Sequence, residues 1–172
     1  MPLMISWLIH GGQTGVDRGA WAAAIALGAR GHTIRAGGVM PKDAKDEAGV
    51  IPEVVRRNMR ACDTAGYEAR TIENVRGADA LLVVVKNRLQ PDATPGTRLT
   101  LAQAAKQPGL QTMVADAESA DQVAWWLAHL PPWAKNRHPF KLMVAGPRES
   151  LWPGAELATQ ELLIKALHVG SF

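Results

Sequence analysis

Cysteine is nearly absent from this sequence: Cys62 is the one thiol in 172 residues, which excludes an internal disulfide framework and a cysteine-built zinc cluster. Charge is also sparse. Only 20% of the chain is charged while 47% is apolar, which excludes a largely disordered chain and leaves enough apolar side chains for a core without staples. Neither sign dominates, since 19 Lys and Arg face 16 Asp and Glu; the +3 excess is too small for a nucleic-acid coat. Long hydrophobic runs are missing too. The apolar first ten residues have no basic start, and Asp17 and Arg18 soon follow, so neither a signal peptide nor a membrane helix is expected. The expectation is a soluble, cytoplasmic protein with no membrane attachment. Five histidines without i, i+4 pairing suggest no metal site.

Glycine, by contrast, is plentiful: sixteen, several of them clustered. Around them, apolar runs of strand length alternate with helix-length segments, the pattern of a parallel sheet with crossover helices. Residues 4–9, 80–85, 111–115 and 141–145 read as strands, with 32–36 a weaker fifth. The run at 80–85 suits a strand buried on both faces. Helical spacing marks 15–28, 97–106, 123–130 and 155–167. The fold class is therefore α/β, a Rossmann-like open, mostly parallel sheet of about five or more strands with helices on both faces, in one domain over 1–172. No internal repeat or linker interrupts it.

Two stretches are less ordinary. From Arg18 to Arg30 the first helix carries no intervening charge, so it reads as apolar all round and buried all round. A second copy of the chain would cover its outer face, making a homo-oligomer; the alternative cover is the segment 37–79. In that segment Ile51, Val54, Val55, Met59 and Cys62 have helical spacing, with Arg56, Arg57 and Arg60 opposite, yet Gly, Pro and Asp argue for a functional loop.

Three constellations sit where strands hand over to helices. The first is Gly11, Gly12, Gln13, Thr14, Gly15, Val16, Asp17 and Arg18, where missing Cβ atoms and the free N–H groups of a helix start would suit an anion. It matches neither the Walker nor the dinucleotide pattern. Arg35 stands where a dinucleotide fold would want an acid, so NAD is not expected. The second is Thr94 to Thr100, with Gly96 and Thr97 at a helix start and Arg98 beside them; the third is Val144 to Ser150, with Gly146, Arg148 and Glu149. Each has a plainer alternative: a tight turn, a helix cap, an exposed ion pair. All three would share the carboxyl rim of the sheet, and Arg18, Arg98 and Arg148 would converge there on an anionic small molecule. His10 adjoins the first glycine loop as a ligand contact or a structural histidine. Trp126 fits a core face, Trp125 an interface.

The segments 11–18 and 144–150, with Gly38, Pro41-Lys42, Arg70-Thr71 and Asn74-Val75, resemble the molybdenum-cofactor carrier family, the circularly permuted branch of the SLOG superfamily of nucleotide- and phosphate-ligand proteins. The resemblance implies a Rossmann-like fold, homo-oligomers, and binding of the molybdenum cofactor or a related phosphorylated ligand. It also implies that Gly11 to Arg18 form the main ligand loop. Arg70, Asn74, Gly96 and Thr97 would reach in from the middle, and Gly146, Arg148 and Glu149 would close the rim. A hydrolase of nucleotides or phosphoribosyl compounds is the alternative within the superfamily. Its G-T-x-x-E acid is replaced here by Thr100, a side chain that cannot stabilise an oxocarbenium-like centre as a carboxylate does.

Overall fold

In the computed structural model, which describes residues 4–168, the chain opens with β1 (Ile5–Ile9), α1 (Val16–Ala29) and β2 (Arg35–Met40). A small hairpin follows, β3 (Lys45–Asp46) and β4 (Gly49–Val50), then α2 (Glu53–Arg56), β5 (Met59–Ala61) and α3 (Tyr67–Gly77). The rest alternates: β6 (Ala80–Val84), α4 (Pro95–Ala105), β7 (Gln111–Ala115), α5 (Ala120–Ala128), α6 (Pro132–Lys135), β8 (Phe140–Ala145) and α7 (Ala155–His168).

Six strands form one sheet in the order β5-β2-β1-β8-β6-β7, and every pairing in it is parallel. The period of two sorts each central strand onto two cores. Leu8, Leu82, Val84, Leu142 and Val144 point into one, covered by α1, α5 and α7. Ile9, Leu81, Val83, Met143 and Ala145 point into the other, with Val75 of α3 and Ala104 of α4. Strand β6 is buried throughout, as its unbroken apolar run requires. From β1 the chain turns toward β2, whereas β8 lies on the side that leads to β6. The strand order therefore reverses between β1 and β8, the position where open α/β sheets form a crevice.

Three expectations change. The fifth strand begins at Arg35, where it first pairs with Trp7, and runs through Gly37 and Gly38 rather than ending at Ala36. The glycines had hidden its second half, because they carry no side chain to mark a period. The helical spacing over 51–62 does not make a helix. Four residues of α2 give way to β5, which extends the sheet beyond β2, while Ile51 and Val55 are buried and Val54 is half-exposed. Finally, the segment 37–79 does not cover the outer face of α1: within the chain the helix packs on α7 and β2, and Ile25 is left 55% exposed. Among the described residues no helix is long and apolar enough to cross a membrane.

Candidate functional site

A cavity of about 420 Å³ lies between the carboxyl ends of β1 and β8 and the opening turns of α3 and α4. Both helices start on the rim because each follows a parallel strand. Of the residues expected at the site, Gly11, Gln13, Asp17, Arg70, Asn74, Gly96, Gly146 and Arg148 line this cavity. Gly12, Thr14, Gly15, Arg18, Thr97 and Glu149 lie behind or beside it. The lining also contains apolar side chains that were not among the expected site residues: Tyr67, Leu99, Met143 and Leu151. Their signal in the sequence was no more than ordinary helix and strand hydrophobicity.

The glycine loop is organised around Asp17, which is buried on the first turn of α1. Its Oδ2 accepts hydrogen bonds from Gly11 N at 3.1 Å, Gln13 N at 3.1 Å and Arg70 Nη1 at 2.9 Å. Gly12 N donates to His10 Nδ1 at 3.1 Å, and Thr14 N donates to Gln13 Oε1 at 3.0 Å. Thus the backbone donors expected to cradle a phosphate already serve the chain's own acceptors. A carboxylate at a helix start is stabilised by the same N–H groups and dipole that would favour a ligand anion. Gly15 is required for the packing: at φ +73°, a Cβ on it would lie 2.5 Å from Pro147 O, whereas one on Gly11 would meet the Arg70 guanidinium and displace it from its place beside the loop.

Arg70, on the first turn of α3, brings a cation to the cavity. Its guanidinium also lies 5.5 Å from the centre of the Tyr67 ring, and its buried Nε has no protein partner. Arg18 does something else. It pairs with Asp46 of β3 at 2.7 Å, with both side chains largely buried, and so fastens the hairpin instead of facing the cavity. Arg98 is exposed on α4 and is not part of the lining. The arginines that meet at the cavity are therefore Arg70 and Arg148, not the expected trio.

Several other candidates have structural partners. Asn74 donates from Nδ2 to Val39 O at 2.9 Å and accepts from Val39 N at 2.8 Å. Glu149 accepts from Gly154 N and, at 3.0 Å, from Glu156 N, thereby capping the start of α7. Thr94 is the N-cap residue of α4, with Pro95 following; its hydroxyl bonds that of Thr97 at 2.8 Å. Thr100 donates to Gly96 O at 3.1 Å. Cys62 is buried, with Sγ 2.9 Å from Thr64 O. Trp126 packs against the core, while Trp125 is exposed and stacks on His129.

The tip of the β3–β4 hairpin was not marked by any motif. Glu47 accepts from Thr14 Oγ1, from Ser150 Oγ and, at 3.0 Å, from Ser150 N. Its Oε2 lies 3.3 Å from Arg148 Nε. Burial opposes ionisation of this carboxyl, but the hydrogen bonds from Ser150 and Thr14 and the Arg148 charge outweigh it and hold its pKa below the usual value. His10 is fully buried, and desolvation drives its pKa down from 6.5 to about 4 against the opposing Asp17 charge.

Known proteins bear on this geometry. The profile of the circularly permutated YpsA SLOG family matches residues 8–167. A crystal structure from Syntrophus aciditrophicus SB, described as a "putative molybdenum carrier protein", is similar at 30% identity with a TM-score of 0.79, over 97% of this chain and 98% of that one. No curated protein matches. With the Rossmann-like sheet, the glycine turn after β1 and the rim loop after β8 in place, the chain belongs to the circularly permutated YpsA SLOG family.

Proposed function

We propose that the protein binds a phosphate-bearing small molecule with a ring system, at the carboxyl ends of its strands, and serves as a carrier rather than a catalyst. The observation that carries this reading is the cavity itself. It combines apolar side chains suited to a flat ring, namely Tyr67, Leu99, Met143 and Leu151, with Arg70, whose buried Nε lacks a protein partner. The start of α4 adds favourable partial charge beside Gly96. The molybdenum cofactor, as cargo, suits this combination of a ring and a phosphate, and the neighbour's description supports that choice. Arg70, Arg148 and the start of α4 would face the ligand's anionic part, and the apolar side chains its ring. The hydrolase reading has less support, because Asp17 and Glu149, the acids available in the rim motifs, are both engaged with backbone N–H groups.

Protein isolated from cells that make the cofactor, then denatured under oxidising conditions, is expected to release a fluorescent pterin. Tyr67→Ala removes an aromatic contact worth about 1 kcal/mol and is expected to lower the yield about fivefold. A wild-type protein that yields no pterin, or equal yields from both proteins, would overturn the carrier reading.

A further inference from the structure

The carboxylate of Glu47 accepts from three donors in two other parts of the chain, the Thr14 hydroxyl, the Ser150 hydroxyl and the Ser150 N–H, and pairs by charge with the Arg148 guanidinium 3.3 Å away. Such a set, one guanidinium with hydroxyls and a backbone N–H, is what binds a tetrahedral oxyanion. A carboxylate supplies only two oxygens to it.

Thr14 is held in place without Glu47. Thr14 also accepts from Glu149 N at 3.2 Å, and Glu149 is itself fixed to the start of α7. Glu47, in contrast, rides on the exposed turn of a hairpin whose strands are two residues each. Ala44, just before that hairpin, adopts φ +52°, a left-handed conformation that an alanine holds only under constraint from its surroundings. Asp46 pairs with Arg18, and Glu47 N donates to Gln13 Oε1 at 3.0 Å, so the hairpin can stay anchored while the Glu47 side chain rotates out.

We propose that Thr14, Arg148 and Ser150 form an oxyanion subsite at the edge of the cavity, which Glu47 occupies in the unliganded chain. A phosphate-class group then binds by displacing the Glu47 carboxylate. Arg148 joins the subsite to the cavity, which it also lines. The subsite deepens the carrier reading and rests on it for its biological meaning. Its test uses inorganic phosphate alone, so it can succeed or fail independently of the pterin assay.

The test is a calorimetric titration of inorganic phosphate into wild type, Glu47→Gln and Glu47→Ala. Removing the built-in competitor is expected to tighten phosphate binding about tenfold, since a charge-assisted contact no longer has to be broken. Adding Ser150→Ala or Arg148→Met to the Glu47→Gln chain should abolish that gain. Glu47→Gln keeps the side-chain shape, so it answers the question even if Glu47→Ala folds poorly. Equal phosphate affinity in wild type and Glu47→Gln would overturn the proposal. So would a gain that survives both second substitutions, because the phosphate would then be bound elsewhere.

Discussion

At the scale of single residues, the glycine loop is governed by which groups can be buried uncharged. His10 presents Nδ1 as an acceptor to Gly12 N, which requires the neutral ring or at least an unprotonated Nδ1. Its pKa of about 4 in the folded chain lies below the 6.5 it has when solvated. Above pH 6.5 the ring is neutral in both states and costs nothing. As the pH falls from 6.5 toward 4, the unfolded chain takes up a proton that the folded chain refuses, so stability falls, by about 3 kcal/mol in total at this shift. His10→Asn can still accept from Gly12 N without titrating. Denaturation curves for the two proteins should therefore converge in favour of the variant by about that amount between pH 7 and pH 4. A pH-independent difference would contradict the neutral buried histidine. Both roles offered for His10 by the sequence were reasonable; only its burial and its bond to Gly12 select the structural one.

At the scale of elements, β2 shows how a side chain completes a sheet. Cys62 N donates to Met40 O at 2.9 Å, so Met40 turns its polar groups toward β5. Val39, one residue earlier, turns its own toward β1, which ends at Ile9. The amide of Asn74 fills that missing strand position with one donor and one acceptor. Asn74→Ala leaves both Val39 groups buried without partners and is expected to destabilise the fold by about 2–4 kcal/mol in urea denaturation. A loss below about 0.5 kcal/mol would mean that water replaces the amide. Asn74 was legible in the sequence as a resemblance to a family motif, but its partner was not. The segment 37–79 likewise gave a helical period over 51–62 that the structure overrides, because Met59–Ala61 gains a ladder with β2. A short apolar spacing does not reveal a partner strand twenty residues away.

At the scale of the whole molecule, α1 presents a distinctive outer face. Ile25 is exposed and Trp21, Ala22 and Ala26 are half-buried, with no charge between Arg18 and Arg30. We propose that a second copy covers this face in solution. Light scattering is expected to give a mass above the 18.5 kDa of one chain, and Ile25→Glu to reduce it to that value. A monomeric wild type would end that expectation.

The alternation of strands and helices, the two-sided burial of β6 and the glycine turn after β1 were determined by the sequence itself. Each depends on side-chain periods and backbone freedom that act over a few neighbouring residues. Only the tertiary structure decided which charges face the cavity. Arg70 meets Asp17 across 53 positions, and Ser150 meets Glu47 across 103. Burial makes each charge seek a partner, but local spacing says nothing about which one it finds. That is why Arg18 turned from ligand candidate into the anchor of a hairpin, while Glu47, marked by no motif, came to occupy the rim.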